Sequence, residues 1–134
     1  MNDRELYEKA KEARKNAYAP YSGFKVGAAL LTKDGRVFTG VNIENSSYGG
    51  TICAERIAFG KAISEGAGEF EAIAVSAGDD QALPCGICRQ FMAEFSKEIR
   101  IITQTSDGSL EAMTLDQLLP HAFALEKTDN GGRE

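Results

Sequence analysis

The sequence predicts an α/β fold of three layers, with helices on both faces of a mixed sheet of about five strands. Three features carry that expectation. Two hairpin signals, Asp34-Gly35 and Asp107-Gly108, each separate a pair of strand-like runs. A further short apolar run, Ala72-Ile73-Ala74-Val75-Ser76-Ala77, stands between two helical stretches, as a buried strand does in a layered fold. Helix-start signals recur at Asn2, Thr51, Pro84 and Thr114, so helices alternate with the strands.

Taken in order, Asn2 followed three residues later by Glu5 has the form of a capping box. Leu6, Ala10, Ala13 and Ala17 then recur at helical spacing, which predicts a helix over 3–17. Tyr18-Ala19-Pro20-Tyr21-Ser22-Gly23 breaks it. Strands are predicted over 24–32 and 36–43, and residues 44–50 read as a polar loop. Thr51 is the expected cap of a helix over 52–64, closed by Gly66. After a loop over 78–83, Pro84 sits where proline is favoured, in the first turn of a helix running to about Lys97. Strands over 100–105 and 109–113 follow, and Thr114 with Gln117 caps a short last helix that Pro120 stops. One domain is expected over 1–125, with a polar, loose tail over 126–134.

At 134 residues the chain is long enough to bury roughly two-thirds of the surface its unfolded form exposes. Its apolar share of 43% and charged share of 26% are ordinary for a globular protein. No apolar run approaches the roughly 20 residues of a membrane-spanning helix, and residues 1–11 lack the apolar stretch of a signal peptide. A cytoplasmic location without a membrane partner is therefore expected. Fifteen basic against twenty acidic residues give a net charge of −5, with no Lys/Arg cluster to track a phosphate backbone. This argues against a nucleic-acid partner, because neutralised phosphates supply most of such affinity, and favours a small uncharged ligand. The odd count of three cysteines, Cys53, Cys85 and Cys88, argues against a disulfide framework.

The chemistry concentrates in Cys53-Ala54-Glu55 and, beginning one residue before Cys85, in Pro84-Cys85-Gly86-Ile87-Cys88. Both segments stand at expected helix starts. Cys85 and Cys88, three apart in a first turn, point the same way and can grip one ion, and Cys53 completes a set of three. Three protein ligands with an open fourth position are the arrangement of a catalytic zinc. Helix N-termini aim N–H groups at the sulfurs and favour the thiolates that zinc needs. Glu55, two residues past a ligand, can reach a water at the metal without ligating the metal, which makes it the candidate proton carrier. Arg56 follows from charge. Three thiolates around a divalent cation leave a negative excess that opposes acidification of a water. The Arg56 guanidinium can offset it by donating to the sulfurs of Cys53 and Cys85. One Zn²⁺ per chain is expected.

An ordered set of residues extends this pattern: Tyr18-Ala19-Pro20-Tyr21-Ser22, Phe24, Val26-Gly27-Ala28-Ala29-Leu30-Leu31, Asn42-Ile43-Glu44-Asn45, Cys53-Ala54-Glu55-Arg56, Pro84-Cys85-Gly86, Cys88-Arg89-Gln90 and Leu118-Leu119-Pro120. The set resembles the small homotetrameric zinc-dependent cytidine deaminases, the three-cysteine type of the cytidine/deoxycytidylate deaminase superfamily, almost end to end. The resemblance implies a cytidine-deaminase-like α/β/α fold. It also implies hydrolytic deamination of cytidine and deoxycytidine to the uridines, with release of ammonia, in pyrimidine salvage. Residue by residue, it implies Cys53, Cys85 and Cys88 as metal ligands and Glu55 as proton shuttle. It places Asn42 and Glu44 at the sugar hydroxyls, Phe24 beside the pyrimidine and the backbone of Ala54 at the base. Tyr48 and Phe123 are implied to reach across subunit contacts, so that neighbours in a homotetramer complete each site. Two departures from the family's pattern are Gly50-Thr51-Ile52 before the first ligand and His121 after Pro120, where a small residue is expected.

Other readings of the same residues are weaker. A closed Cys₃His zinc site with His121 as fourth ligand leaves Glu55 without a role, and such sites come as paired knuckles. A thioredoxin-like redox reading of Cys85-Gly86-Ile87-Cys88 leaves Cys53 unused. Outside the resemblance, Phe24, Tyr48 and Phe123 read as packing residues, and Asn42 and Glu44 as polar turn residues after a strand. Deaminases of nucleotides or of single-stranded nucleic acid share the zinc signature, but a carboxylate at Glu44 repels a phosphate at the sugar. The chain also lacks a basic groove. The alternative substrate that these residues admit is a specialised cytosine-containing nucleoside, such as an antibiotic.

Overall fold

Across residues 1–127, which the computed structural model describes, the local signals resolve into nine elements in chain order. These are α1 (Asp3–Ala13), β1 (Gly27–Thr32), β2 (Val37–Val41), α2 (Ala54–Ser64), β3 (Phe70–Ser76), α3 (Gly86–Ala93), β4 (Arg100–Gln104), β5 (Leu110–Thr114) and α4 (Leu115–Leu118). The sheet order is β2-β1-β3-β4-β5. Only β3 and β4 pair in parallel, with α3 in the crossover between them, and the other pairings are antiparallel.

Alternation along the strands sorts the core into two halves. On one face Leu6, Tyr7 and Ala10 of α1 pack against Ala29, Leu31, Ala72, Ala74 and Ile102. On the other, Ala58 and Phe59 of α2, Met92 of α3 and Leu115 of α4 pack against Ala28, Leu30, Ile73, Val75 and Ile101. β1 is therefore buried along its whole length, as a strand covered on both sides must be. This is the expected three-layer arrangement on a mixed five-stranded sheet.

Both capping boxes form as expected. Asn2 Oδ1 accepts from the Glu5 N–H at 2.8 Å while Glu5 accepts from the Asn2 N–H at 3.1 Å, and Thr114 and Gln117 repeat the arrangement at α4. Gly66, at φ +90°, ends α2 with paired bonds from the Ala67 N–H to Ala62 O and the Gly66 N–H to Ile63 O, a Schellman closure.

Several expected boundaries shift, each for a visible reason. The first helix tightens into a 3₁₀ turn, Arg14–Asn16, instead of running to Ala17. The strand expected from Phe24 starts at Gly27, because the Asn42 side chain takes over the preceding backbone: its Nδ2 donates to Phe24 O at 2.8 Å and its Oδ1 accepts from the Val26 N–H at 2.9 Å. The second helix starts at Ala54 with Cys53 as its N-cap, not with Thr51. Ile52 is held extended by mutual backbone bonds with Ile43 of 2.9 and 3.0 Å, and the Thr51 hydroxyl serves the Asn45 N–H. The third helix likewise starts after an N-cap at Cys85, leaving Pro84 outside the first turn. It stops at Ala93 instead of Lys97. The Lys97 and Ile99 carbonyls are then free to accept from the Asp116 and Leu115 N–H groups at the start of α4. The tail expected to be loose from residue 126 lies, from 128 on, outside the described residues. No helix among the described residues is long and apolar enough to cross a membrane.

Two glycines set how closely helices approach the sheet. A Cβ on Gly27 would stand 2.1 Å from Ala10 O of α1, and one on Gly40 would stand 2.3 Å from Ala54 O of α2. Both obstacles are helix backbone, which cannot swing aside. Gly27→Ala and Gly40→Ala are each expected to lower stability by about 1–3 kcal/mol in denaturant unfolding, the usual cost of overpacking. Only Gly40→Ala displaces the first turn of α2, so it alone is expected to weaken metal binding at Cys53. Equal zinc affinities in the two variants would contradict this account of the packing.

Candidate active site

Cys53 and Cys85 occupy equivalent places, each the N-cap of a helix with extended backbone and a side chain that makes no capping bond. Their sulfurs face each other at 3.8 Å. Cys88, wholly buried in α3, brings the third, and the three Sγ atoms lie within 4.8 Å of one another. None of the three is in a disulfide. His121 is not in this group. It is exposed, with a left-handed backbone at φ +58°, beside Lys97 and Asp116.

So close a set of thiols shares its protons unequally. Cys53 is pushed down to about 5, chiefly by a hydrogen bond from Cys88, with Arg56 and Cys85 adding to it and burial opposing. Cys88 is pushed far up, because it gives that hydrogen bond and is itself buried. The hydrogen bond from Cys88 thus favours the thiolate at Cys53, and positive charge nearby favours it further. Arg56 supplies part of that charge, donating from Nη2 to Cys53 Sγ at 3.7 Å. Cys88 also acts on Arg56 and raises its pKa, whereas no hydrogen bond joins Arg56 to the expected Cys85. The reason is placement: Cys88 is buried between the helices, whereas Cys85 is exposed at their mouth.

Glu55 is 4% exposed, and burial raises its carboxyl to about 7, with the Cys53 charge adding and Arg56 opposing. A carboxyl so placed can both take and give a proton near neutral pH.

Phe24, Asn42, Cys53, Ala54, Glu55 and Cys85 line one cleft of about 300 Å³. Val26, Val75 and the run Gln81-Ala82-Leu83 also line it, although none of them was expected to have a site role. Val26 belongs to the ordered motif set and Val75 to the apolar run expected to be a buried strand, whereas Gln81-Ala82-Leu83 carries no local chemical signal. Phe24 is 52% exposed and so free to meet a ligand. Asn42 is nearly buried and clamps the Phe24–Val26 backbone, so it shapes the rim as well as lining it.

The remaining candidates are not on this wall. Glu44 accepts from the N–H groups of Tyr21 at 2.9 Å and Ser22 at 3.2 Å and from the Ser22 hydroxyl, which holds its carboxyl below the usual range. Tyr48 is 79% exposed and meets the ring of Tyr21 edge-on, with ring centroids 6.4 Å apart. Phe123 is 69% exposed, its carbonyl held by Gln90 Nε2 at 2.9 Å. Arg56 lies behind the sulfurs and lines a second groove with Ile52, Ile57 and Phe91.

Comparison with known proteins gives this arrangement its context. Residues 1–103 match the family described as the cytidine and deoxycytidylate deaminase zinc-binding region. A cytidine deaminase of Sporosarcina psychrophila is 48% identical over 128 residues, 94% of each chain. One from Halalkalibacterium halodurans is also 48% identical, over 94% of this chain and 97% of its own. The crystal structure of cytidine deaminase from Burkholderia pseudomallei superposes with a TM-score of 0.85 at 47% identity, covering 92% of this chain and all of that one. The match spans the whole sheet and both cysteine segments, and the chain belongs to the cytidine and deoxycytidylate deaminase family.

Proposed function

We propose that this protein deaminates cytidine and deoxycytidine hydrolytically, giving uridine and deoxyuridine and releasing ammonia in pyrimidine salvage. The observation that carries the reading is the meeting of three sulfurs, within 4.8 Å of one another, with a buried Glu55 on the same cleft. The relatives' activity supports it, since two cytidine deaminases are 48% identical over nearly all of this chain.

Cys53, Cys85 and Cys88 fit one Zn²⁺ per chain by the chemistry of the donor set: soft sulfur, two helix N-termini and one thiol whose pKa is lowered. A zinc ion held by these three residues would supply the acidity that makes water a nucleophile near neutral pH. Glu55 takes a proton from the attacking water and delivers it to N3 as the oxygen adds to C4 of the cytosine. It then carries the water's second proton to the amine, and the C4–N4 bond breaks to release ammonia. The Ala54 backbone and Phe24 hold the ring, and Asn42 and Glu44 receive the sugar hydroxyls. Glu44 also keeps phosphorylated substrates away by charge. Arg56 offsets the negative excess of the three thiolates.

We further propose a cytoplasmic homotetramer. Tyr48 and Phe123 are exposed aromatics with little to cover in their own chain, which suits contact with a neighbour's site. The groove of about 680 Å³ lined by Ile52, Ile57 and Phe91 offers an apolar seat for a second copy.

Two outcomes test the reading in solution. Glu55→Gln keeps size and a hydrogen bond but cannot carry protons, so kcat is expected to fall on the order of 10²–10⁴-fold with zinc retained. Near-normal turnover of this variant would refute the assigned role. Following loss of cytidine absorbance, CMP is expected to have a kcat/KM roughly a hundredfold or more below that of cytidine, because its phosphate meets Glu44. Comparable use of CMP would refute the sugar-site assignment, and turnover confined to a modified cytosine nucleoside would point to a specialised substrate.

A further inference from the structure

Each of the three sulfurs needs something to aim it. Cys53 is held by Arg56, and Cys88 by burial inside α3. Cys85 is exposed, and among the described residues the one hydrogen-bond partner of its side chain is Cys53 Sγ, at 3.8 Å. Its direction must therefore come from its backbone.

That backbone is gripped from below. Arg89, one turn along α3, has its main-chain N–H on Cys85 O at 2.9 Å, as any helix would. Its side chain doubles back, with Nε donating to Pro84 O at 2.7 Å and Nη1 donating to Leu118 O at 2.8 Å. Pro84 O belongs to the peptide unit that leads into Cys85, and the Pro84 ring already fixes its own φ. Holding that carbonyl fixes the plane of the peptide, and with it the direction in which Cys85 presents its sulfur. Leu118 is the last residue of α4, where a carbonyl lacks an intrahelical partner.

Among the described residues no carboxylate lies within ion-pair distance of Arg89. Its charge is spent on two carbonyls, in bonds roughly twice as strong as neutral ones. A planar fork suits two acceptors on separate elements in a way that a lysine ammonium does not.

We propose that Arg89 is a positioning residue for the metal centre, locking the Pro84–Cys85 peptide against the end of α4 so that Cys85 meets the cation at low cost in ordering. The proposal rests on the reading of Cys53, Cys85 and Cys88 as zinc ligands. Arg89 touches neither metal nor substrate.

The test is competition for zinc between the whole protein and a chelator at fixed pH, with thermal unfolding recorded on the same samples. Arg89→Ala is expected to raise the zinc dissociation constant by about 10- to 100-fold, the usual effect of losing a partner that orients a ligand. Arg89→Lys, which keeps the charge and one donor, is expected to fall between Arg89→Ala and the wild type. Gln90→Ala removes the neighbouring tie to Phe123 O and leaves Pro84 untouched, so it should bind zinc as the wild type does. The proposal is overturned if Arg89→Ala binds zinc within about twofold of a zinc-loaded wild type, or if Gln90→Ala weakens binding equally. Should Arg89→Ala fail to fold, Arg89→Lys decides: a raised constant supports the proposal and an unchanged one overturns it. A wild-type chain that takes up no zinc overturns the ligand reading and this inference together.

Discussion

Two helices, α2 and α3, begin at cysteines whose sulfurs face each other across 3.8 Å, and a third sulfur lies beneath them. Negative charge accumulates at such a point as the thiols ionise. The N-terminal partial charges of two helices ease the first ionisation but cannot carry three, since each amounts to roughly half a unit. Cys53 is lowered to about 5 and Cys88 raised chiefly because the Cys88 thiol donates a hydrogen bond to the Cys53 sulfur. Electrostatically the site calls for a cation.

Much of the fold serves this convergence. The parallel pairing of β3 with β4 carries the chain across the sheet through α3, on the face where α2 also lies. Gly40 lets the first turn of α2 sit directly on β2. Ile52, paired with Ile43, brings the chain extended up to Cys53, so the helix cannot begin before the ligand. Arg89 does the corresponding work before Cys85 by holding Pro84 O. The cleft needs only side chains that this frame already delivers: Phe24 from just before the hairpin, Asn42 from just after it, and Glu55 from the same turn as Cys53.

The layers, the order of elements and the hairpins were legible in the sequence, because period, caps and Asp-Gly turns are local properties of the chain. The sulfur trio was legible for the same reason, as cysteine spacing at helix starts is a local pattern. Helix boundaries were less so. Thr51 and Pro84 both look like starts on local grounds, yet Ile52 is claimed by a bridge to Ile43 and the cap passes to cysteine in both helices. The influence of Cys88 on Arg56 was not legible, since only packing decides which sulfurs come near the guanidinium. The wall formed by Gln81-Ala82-Leu83 and the tie from Arg89 to Leu118 depend on contacts across many residues of chain. The two-sided use of Asn42, clamping Phe24 and Val26 while lining the cleft, is likewise a property of the assembled fold.

The central claim is that three thiolates at two helix mouths hold one zinc ion with a position left open for water. X-ray absorption at the zinc edge of the purified protein tests it directly. The account predicts three sulfur neighbours at about 2.3 Å and one light atom at about 2.0–2.2 Å, with the light atom exchangeable and unaffected by His121→Ala. A shell closed by an imidazole that disappears in His121→Ala, or a protein that takes up no zinc, would contradict it.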